Sequence, residues 1–182
     1  MTQSVDHLET ITLGGGCFWC LEAVYLEVDG VTAVESGYCN GSLPNPSYEA
    51  VCSGLSGHAE VVQVQFDAAR ITLEEILEIF FAVHDPTSLN RQGHDVGTQY
   101  RSGIYWHEPA QAAVAEAVRQ QAAMAWDAPV VTEIAQRQLY SPAEPYHQRY
   151  YARNPYQGYC QHVVAPKLAR FRETFARRLK RR

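Results

Sequence analysis

The stretch Gly14-Gly15-Gly16-Cys17-Phe18-Trp19-Cys20 sets a thiol directly after three glycines and beside two large aromatics, with a second thiol three residues on. A glycine run between a strand and a helix lets the backbone turn sharply and leaves free N–H groups at the helix start. The positive end of the helix dipole then favours a thiolate at Cys17, the condition for a nucleophile. No basic side chain supplies that effect locally, since residues 1–69 contain no lysine or arginine. The same position also suits a small buried hydrophobe, the usual fate of a free cysteine. Phe18 and Trp19 divide in the same way, between core packing and an apolar wall for a small alkyl group.

Glu60 adds an acid. In "AEVVQVQF" it shares strand parity with Val62, Val64 and Phe66, so the pattern turns it toward the buried face. Burial disfavours the carboxylate and raises its pKa, which makes a general acid near neutral pH; the plainer reading is a strand-start residue that reaches solvent. The polar, glycine-punctuated segment "RQGHDVGTQYRS" contributes His94, Asp95 and Tyr100 as catalytic or orienting candidates. Asp95 equally suits a turn and Tyr100 a half-buried strand position.

These residues need a scaffold, and periodicity supplies one. Leu8 to Leu13 alternates as a strand and ends at the glycines. Phe18 to about Val28 has helical spacing, and Val31 to Tyr38 is a second strand, followed by the loop "NGSLPNPS". Ala59 to Phe66 is a third strand. "ITLEEILEIFFAVHDP" is a helix opened by a capping box, Thr72 with Glu75, and closed at Asp85-Pro86. Tyr100 to Trp106 reads as a strand, Pro109 to about Trp126 as a helix and Val130 to Ala135 as a last strand, with helix and the loop "NPYQGYC" beyond. The order β-α-β-β-α-β and then more helix predicts an α+β two-layer sandwich with a ferredoxin-like core and an additional C-terminal helix and loop.

Composition narrows the class. At 182 residues, 46% hydrophobic and 19% charged, the chain has the makeup of one ordinary globular domain. No apolar run approaches the roughly 20 residues that span a bilayer, and MTQSVDHLET lacks the basic start and apolar stretch of an export signal, so the cytoplasm is expected. Five cysteines (Cys17, Cys20, Cys39, Cys52, Cys160) are an odd number, which argues against a static disulfide framework. Residues 167–182 hold eight Lys or Arg and one acid, read here as a solvated basic helix end. A net charge of -5 gives no footprint for nucleic acid.

Four segments in order, "GGGCFWC", "NPSYEAVCSGLSGHAEVVQVQFD", "HDPTSLNRQGHDVGTQYRSGIYW" and "AEPYHQRYYARNPYQGYC", resemble the peptide methionine sulfoxide reductases of the A type from about residue 9 to 162. The resemblance implies that Cys17 attacks the sulfur of methionine-(S)-sulfoxide, protein-bound or free. By the same resemblance Phe18 and Trp19 pocket its methyl group, Glu60 protonates the oxygen, Tyr48 and Tyr100 donate to it, and Asp95 helps position the site. Cys17 is left as a sulfenic acid, which a second thiol condenses to a disulfide. Cys160 matches the resolving position, in a C-terminal segment of about 154–182 expected to be mobile. Thioredoxin then reduces the disulfide. The resemblance implies no cofactor, no metal and a monomer. The sequence departs from the family pattern at Cys20, where many relatives have glycine, at Cys39-Asn40-Gly41 and at His94, and it has one cysteine near its C-terminus, not two.

Two other readings compete. A thioredoxin-like dithiol enzyme would use Cys17 and Cys20, whose spacing is right, but has no need of Glu60, Tyr48, Tyr100 and Asp95. A zinc module would need Cys39 and Cys52 as its second pair, and twelve intervening residues are not knuckle spacing. Cys39 and Cys52 are read as packed thiols.

Overall fold

A computed structural model describes residues 7–181. Most of the segment read for an export signal, and Arg182 of the basic tail, lie outside those residues. Strand β1 (Leu8–Gly14) is followed by helix α1 (Phe18–Tyr25), β2 (Val31–Cys39), the short α2 (Tyr48–Cys52), β3 (Ala59–Asp67) and α3 (Leu73–Val83). A small hairpin, β4 (Arg91–Gln92) and β5 (Asp95–Val96), precedes β6 (Gly103–Trp106), α4 (Pro109–Ala123), β7 (Glu133–Gln136) and β8 (Ser141–Pro142). The chain closes through α5 (Tyr150–Arg153), a π-helical turn (Cys160–Val164) and α6 (Ala165–Thr174).

The six-stranded sheet has the order β7-β6-β1-β3-β2-β8. Its middle four strands, β6-β1-β3-β2, carry the arrangement expected of a ferredoxin-like β-α-β-β-α-β unit, all neighbours antiparallel. β7 adds parallel to β6, and β8 antiparallel to β2. The α+β layering follows from alternation. Ile11 and Leu13 of β1 stand opposite Val64 and Val62 of β3, and all four are buried in one cluster with α1, α3 and α6. A smaller cluster (Cys39, Ala59, Val61, Tyr105) fills the other face.

Helix α3 begins as its sequence dictates. The Thr72 hydroxyl accepts from the Glu75 N–H at 3.2 Å, and the Glu75 carboxylate accepts from the Thr72 N–H at 3.0 Å. Other boundaries moved. α1 stops at Tyr25, and Val28 bridges Leu179 of the tail. Thr98–Tyr100 is a 3-10 turn, so Tyr100 precedes β6. The tail is docked: Arg172 pairs with Glu27 and Arg178 with Glu75, each at 2.5 Å, and the Lys180 N–H donates to the Glu27 carbonyl. The solvated basic end read from the sequence is, for these two arginines, an ion-paired strap onto the α1–β2 turn and the start of α3.

Candidate active site

The edge of the sheet delivers the site. β1 ends at Gly14, and Gly16 takes a backbone conformation of φ +91°. A β-carbon there would lie 2.7 Å from Gln92 Cγ. Gln92 is held in turn, accepting from the Asp85 N–H and donating to the Asp85 carbonyl. Glycine is therefore required where the hairpin loop presses on the turn into α1. That turn sets Cys17 at the N-cap of α1 with extended backbone, largely buried but open to the cleft.

Opposite it, Glu60 near the start of β3 is 2% exposed, on the face that strand parity assigned to it. Its carboxyl oxygen accepts from the Phe18 N–H at 3.3 Å. Burial pushes its pKa up to about 8; that N–H opposes the shift and Asp95 adds to it. Glu60 is thus a protonated acid at neutral pH.

A cleft of about 150 Å³ is lined by Cys17, Phe18, Trp19, Tyr48, Glu60, Asp95, Tyr100 and Tyr159. Seven of these were singled out from the sequence, and they converge from five places: the start of α1, the start of α2, β3, β5 and the 3-10 turn before β6. Ser47 caps α2 by accepting from the Ala50 N–H, which fixes the helix that carries Tyr48. Burial raises the pKa of Tyr48 and of Tyr100, so both keep their protons as donors.

Cys17 departs from expectation. The Trp19 backbone N–H favours its thiolate, as a helix start should. Burial outweighs it, with further upward pushes from Glu60 and Cys20, so the thiol lies well above its ordinary range. The helix start alone does not hold a resting thiolate. A neutral Glu60 removes one of the opposing charges.

Two residues without a role assigned from sequence hold Trp19, and one of them, Tyr159, also lines the cleft. Tyr159 donates from its hydroxyl to Asp95 Oδ2 at 2.5 Å and meets Trp19 edge-on, ring centroids 5.7 Å apart. His147 is buried, lowered in pKa by that burial, and accepts at Nδ1 from Trp19 Nε1 at 3.1 Å. The opposite Trp19 contact is Tyr150, stacked at 3.8 Å and 7°. Both new residues lie in "EPYHQRYYARNPYQGYC", whose aromatic density was the available signal.

The remaining candidates lie elsewhere. His94 is exposed and lines a neighbouring groove. Cys160 is fully buried in the π-helical turn, outside the cleft lining. Cys39 is packed as expected, but Cys52 is exposed at the end of α2, beside the Tyr48 hydroxyl, because the helix turns it outward. Among the described residues no three His, Cys, Asp or Glu side chains gather into a metal-holding group. No helix among them is long and apolar enough to cross a membrane.

Residues 9–179 match the family model described as peptide methionine sulfoxide reductase. The chain belongs to that family. It is 55% identical over 175 residues to the peptide methionine sulfoxide reductase MsrA of Polynucleobacter asymbioticus, covering 95% of this chain and 92% of that protein. The reduced form of Mxr1 from Saccharomyces cerevisiae superposes with a TM-score of 0.79 at 36% identity, over 86% of this chain and 90% of the other. Methionine sulfoxide reductase A of Corynebacterium diphtheriae gives 0.77 at 37% identity, over 87% and 80%. Mxr1 is also known in complex with Trx2. The enzyme is a peptide-methionine (S)-S-oxide reductase. The thioredoxin-like and zinc-module readings fall away.

Proposed function

We propose that the cleft carries out the reduction as follows. The substrate's S-methyl group rests against Phe18 and Trp19, and its oxygen points to Glu60, Tyr48 and Tyr100. The Cys17 sulfur attacks the sulfoxide sulfur while Glu60 delivers a proton to the oxygen. Donors already in place neutralise the charge as it develops, which is where such a site gains most. Oxygen ends on Cys17 as a sulfenic acid, methionine leaves, and the two-electron reduction of one sulfur is matched by oxidation of the other. Asp95, held by the Tyr159 hydroxyl, positions the rim of the cleft.

The observation that supports this reading best is a protonated carboxylic acid and two tyrosine hydroxyls lining one small cleft with the Cys17 thiol. Cys160 is the resolving thiol, and its disulfide is reduced by an external dithiol protein. Thioredoxin is assigned that part on the analogy of Mxr1 with Trx2. The substrate is methionine-(S)-sulfoxide in peptides or free, and the protein works as a monomer in the cytoplasm.

The reading is tested by single turnover with a peptide carrying one sulfoxide epimer. Methionine is expected from the S epimer and none from the R epimer, and Cys17→Ser is expected to abolish the product. Product from Cys17→Ser at the unsubstituted rate would remove Cys17 from the reaction.

A further inference from the structure

Cys20 takes no part in the chemistry described so far, yet it lies close behind the cleft. It is the third residue of α1, 4% exposed, and its N–H donates to the Cys17 carbonyl at 3.1 Å. With Phe18 and Trp19 helical, helix geometry places the Cys17 and Cys20 α-carbons about 5 Å apart, inside the roughly 4.4–6.8 Å that a disulfide spans. The pair leaves the first turn of α1 on one side.

A third sulfur stands behind them. α1 packs on the π-helical turn that begins at Cys160, and Cys20 and Cys160 are buried in the same cluster. The ionisable groups acting on Cys17 are Glu60, Cys20 and Asp95; those acting on Cys20 include Lys167, Asp95, Tyr159 and Cys160. Tyr159 bridges the two environments, since it lines the cleft and directly precedes Cys160 in the chain. Cys20 is thus joined to Cys17 through the first turn of α1 and to Cys160 through the shared core, while fully buried Cys160 sits outside the cleft where the sulfenic acid forms. Lys167 favours a Cys20 thiolate, against the burial that pushes the thiol up to about 11.

We propose that Cys20 is a relay thiol that passes the oxidation from Cys17 to Cys160. This rests on the reductase reading of the same cleft. In the first step the Cys20 thiol condenses with the Cys17 sulfenic acid, forming the Cys17–Cys20 S–S bond and releasing water. In the second, the Cys160 sulfur, losing its proton, attacks Cys20. The Cys20–Cys160 bond forms, the Cys17–Cys20 bond breaks, and Cys17 leaves with the electron pair and takes up a proton. An external dithiol protein then returns two electrons and two protons. Cys17 is thus a free thiol again before any reductant arrives, so one chain reduces two sulfoxides from its own thiols. Direct attack of Cys160 on Cys17 would allow one.

The experiment counts methionine released per chain from an S-sulfoxide peptide with no external thiol, and maps disulfides in the same samples. The unsubstituted protein is expected to release two methionines, and to show a Cys20–Cys160 bridge with Cys17 open to alkylation after the first. Cys160→Ala is expected to release one and hold a Cys17–Cys20 bridge. Cys20→Ala and Cys20→Ser are each expected to release one and to leave a Cys17 sulfenic acid that dimedone traps. One methionine from the unsubstituted protein with a Cys17–Cys160 bridge and free Cys20 overturns the relay and leaves the reductase reading standing. So does a dimedone-trapped Cys17 with no Cys17–Cys20 bridge in Cys160→Ala. No methionine at all from the unsubstituted protein overturns the reductase reading, and the relay with it.

Discussion

Glu60 keeps its proton because the groups around it give its carboxylate one N–H and little else. The ionisable side chains coupled to it, Cys17, Tyr38, Tyr48, Cys52, Asp95 and Tyr100, are all neutral or acidic. The cost of that arrangement has a definite sign. The unfolded chain releases this proton near the ordinary value of 4.5, and the folded one near 8. Between those values the folded state binds more protons, so stability falls as pH rises through the window, by at most about 5 kcal/mol once pH passes 8. Glu60→Gln keeps an oxygen for the Phe18 N–H and removes the charge. It is expected to slow the reductase step by about a hundredfold or more. Urea denaturation at pH 6 and pH 8.5 is expected to show a smaller loss of stability in the variant than in the unsubstituted protein. Equal losses in the two would mean that Glu60 ionises as an ordinary carboxyl.

At the scale of elements, the fold was legible where periodicity was long. β1, β2 and β3 and the capped α3 lie where their alternation and capping box put them. Short pieces set by distant partners were not. β8 is two residues, strands only because β2 offers an edge, and Tyr100 sits in a 3-10 turn that alternation cannot signal. The cleft divides the same way. Glu60 is legible from strand parity, and Cys17 from the glycines before it. Tyr159 reaches the cleft, and His147 the Trp19 indole that walls it, from more than 120 residues downstream, through packing that no local pattern encodes. The turn at Gly16 gives this scale its prediction. Gly16→Ala must strain a positive φ and displace Gln92 together with its two bonds to Asp85. A destabilisation of about 1–3 kcal/mol is expected in urea titration, with a larger proportional loss of turnover because Cys17 moves with the turn. Unchanged turnover at lowered stability would separate that turn from the positioning of the thiol.

Across the whole molecule the C-terminal segment holds the earlier part of the chain in two ways of very different strength. Arg172 pairs with Glu27 where both side chains stay partly in water, 44% and 30% exposed. Phe171, one residue before, is 2% exposed in the main core cluster. Exposed ion pairs contribute about 0–1 kcal/mol, whereas emptying a buried phenylalanine site costs about 3–5 kcal/mol. Arg172→Ala is therefore expected to shift the unfolding midpoint slightly and Phe171→Ala strongly; equal shifts would show that charge, not packing, docks the tail. The stacking of Tyr150 on Trp19 and the bond from Tyr159 to Asp95 belong to the same docking. A ribosome makes residues 1–140 before it makes any of these. The nascent chain therefore carries Cys17, Glu60 and Phe18 while Trp19 still lacks the ring that covers it, and the Tyr159 wall of the cleft is added afterwards. A message cut short after β8 yields an uncovered indole beside Cys17 and Cys20 in a chain that lacks Cys160, a product that quality control has reason to remove.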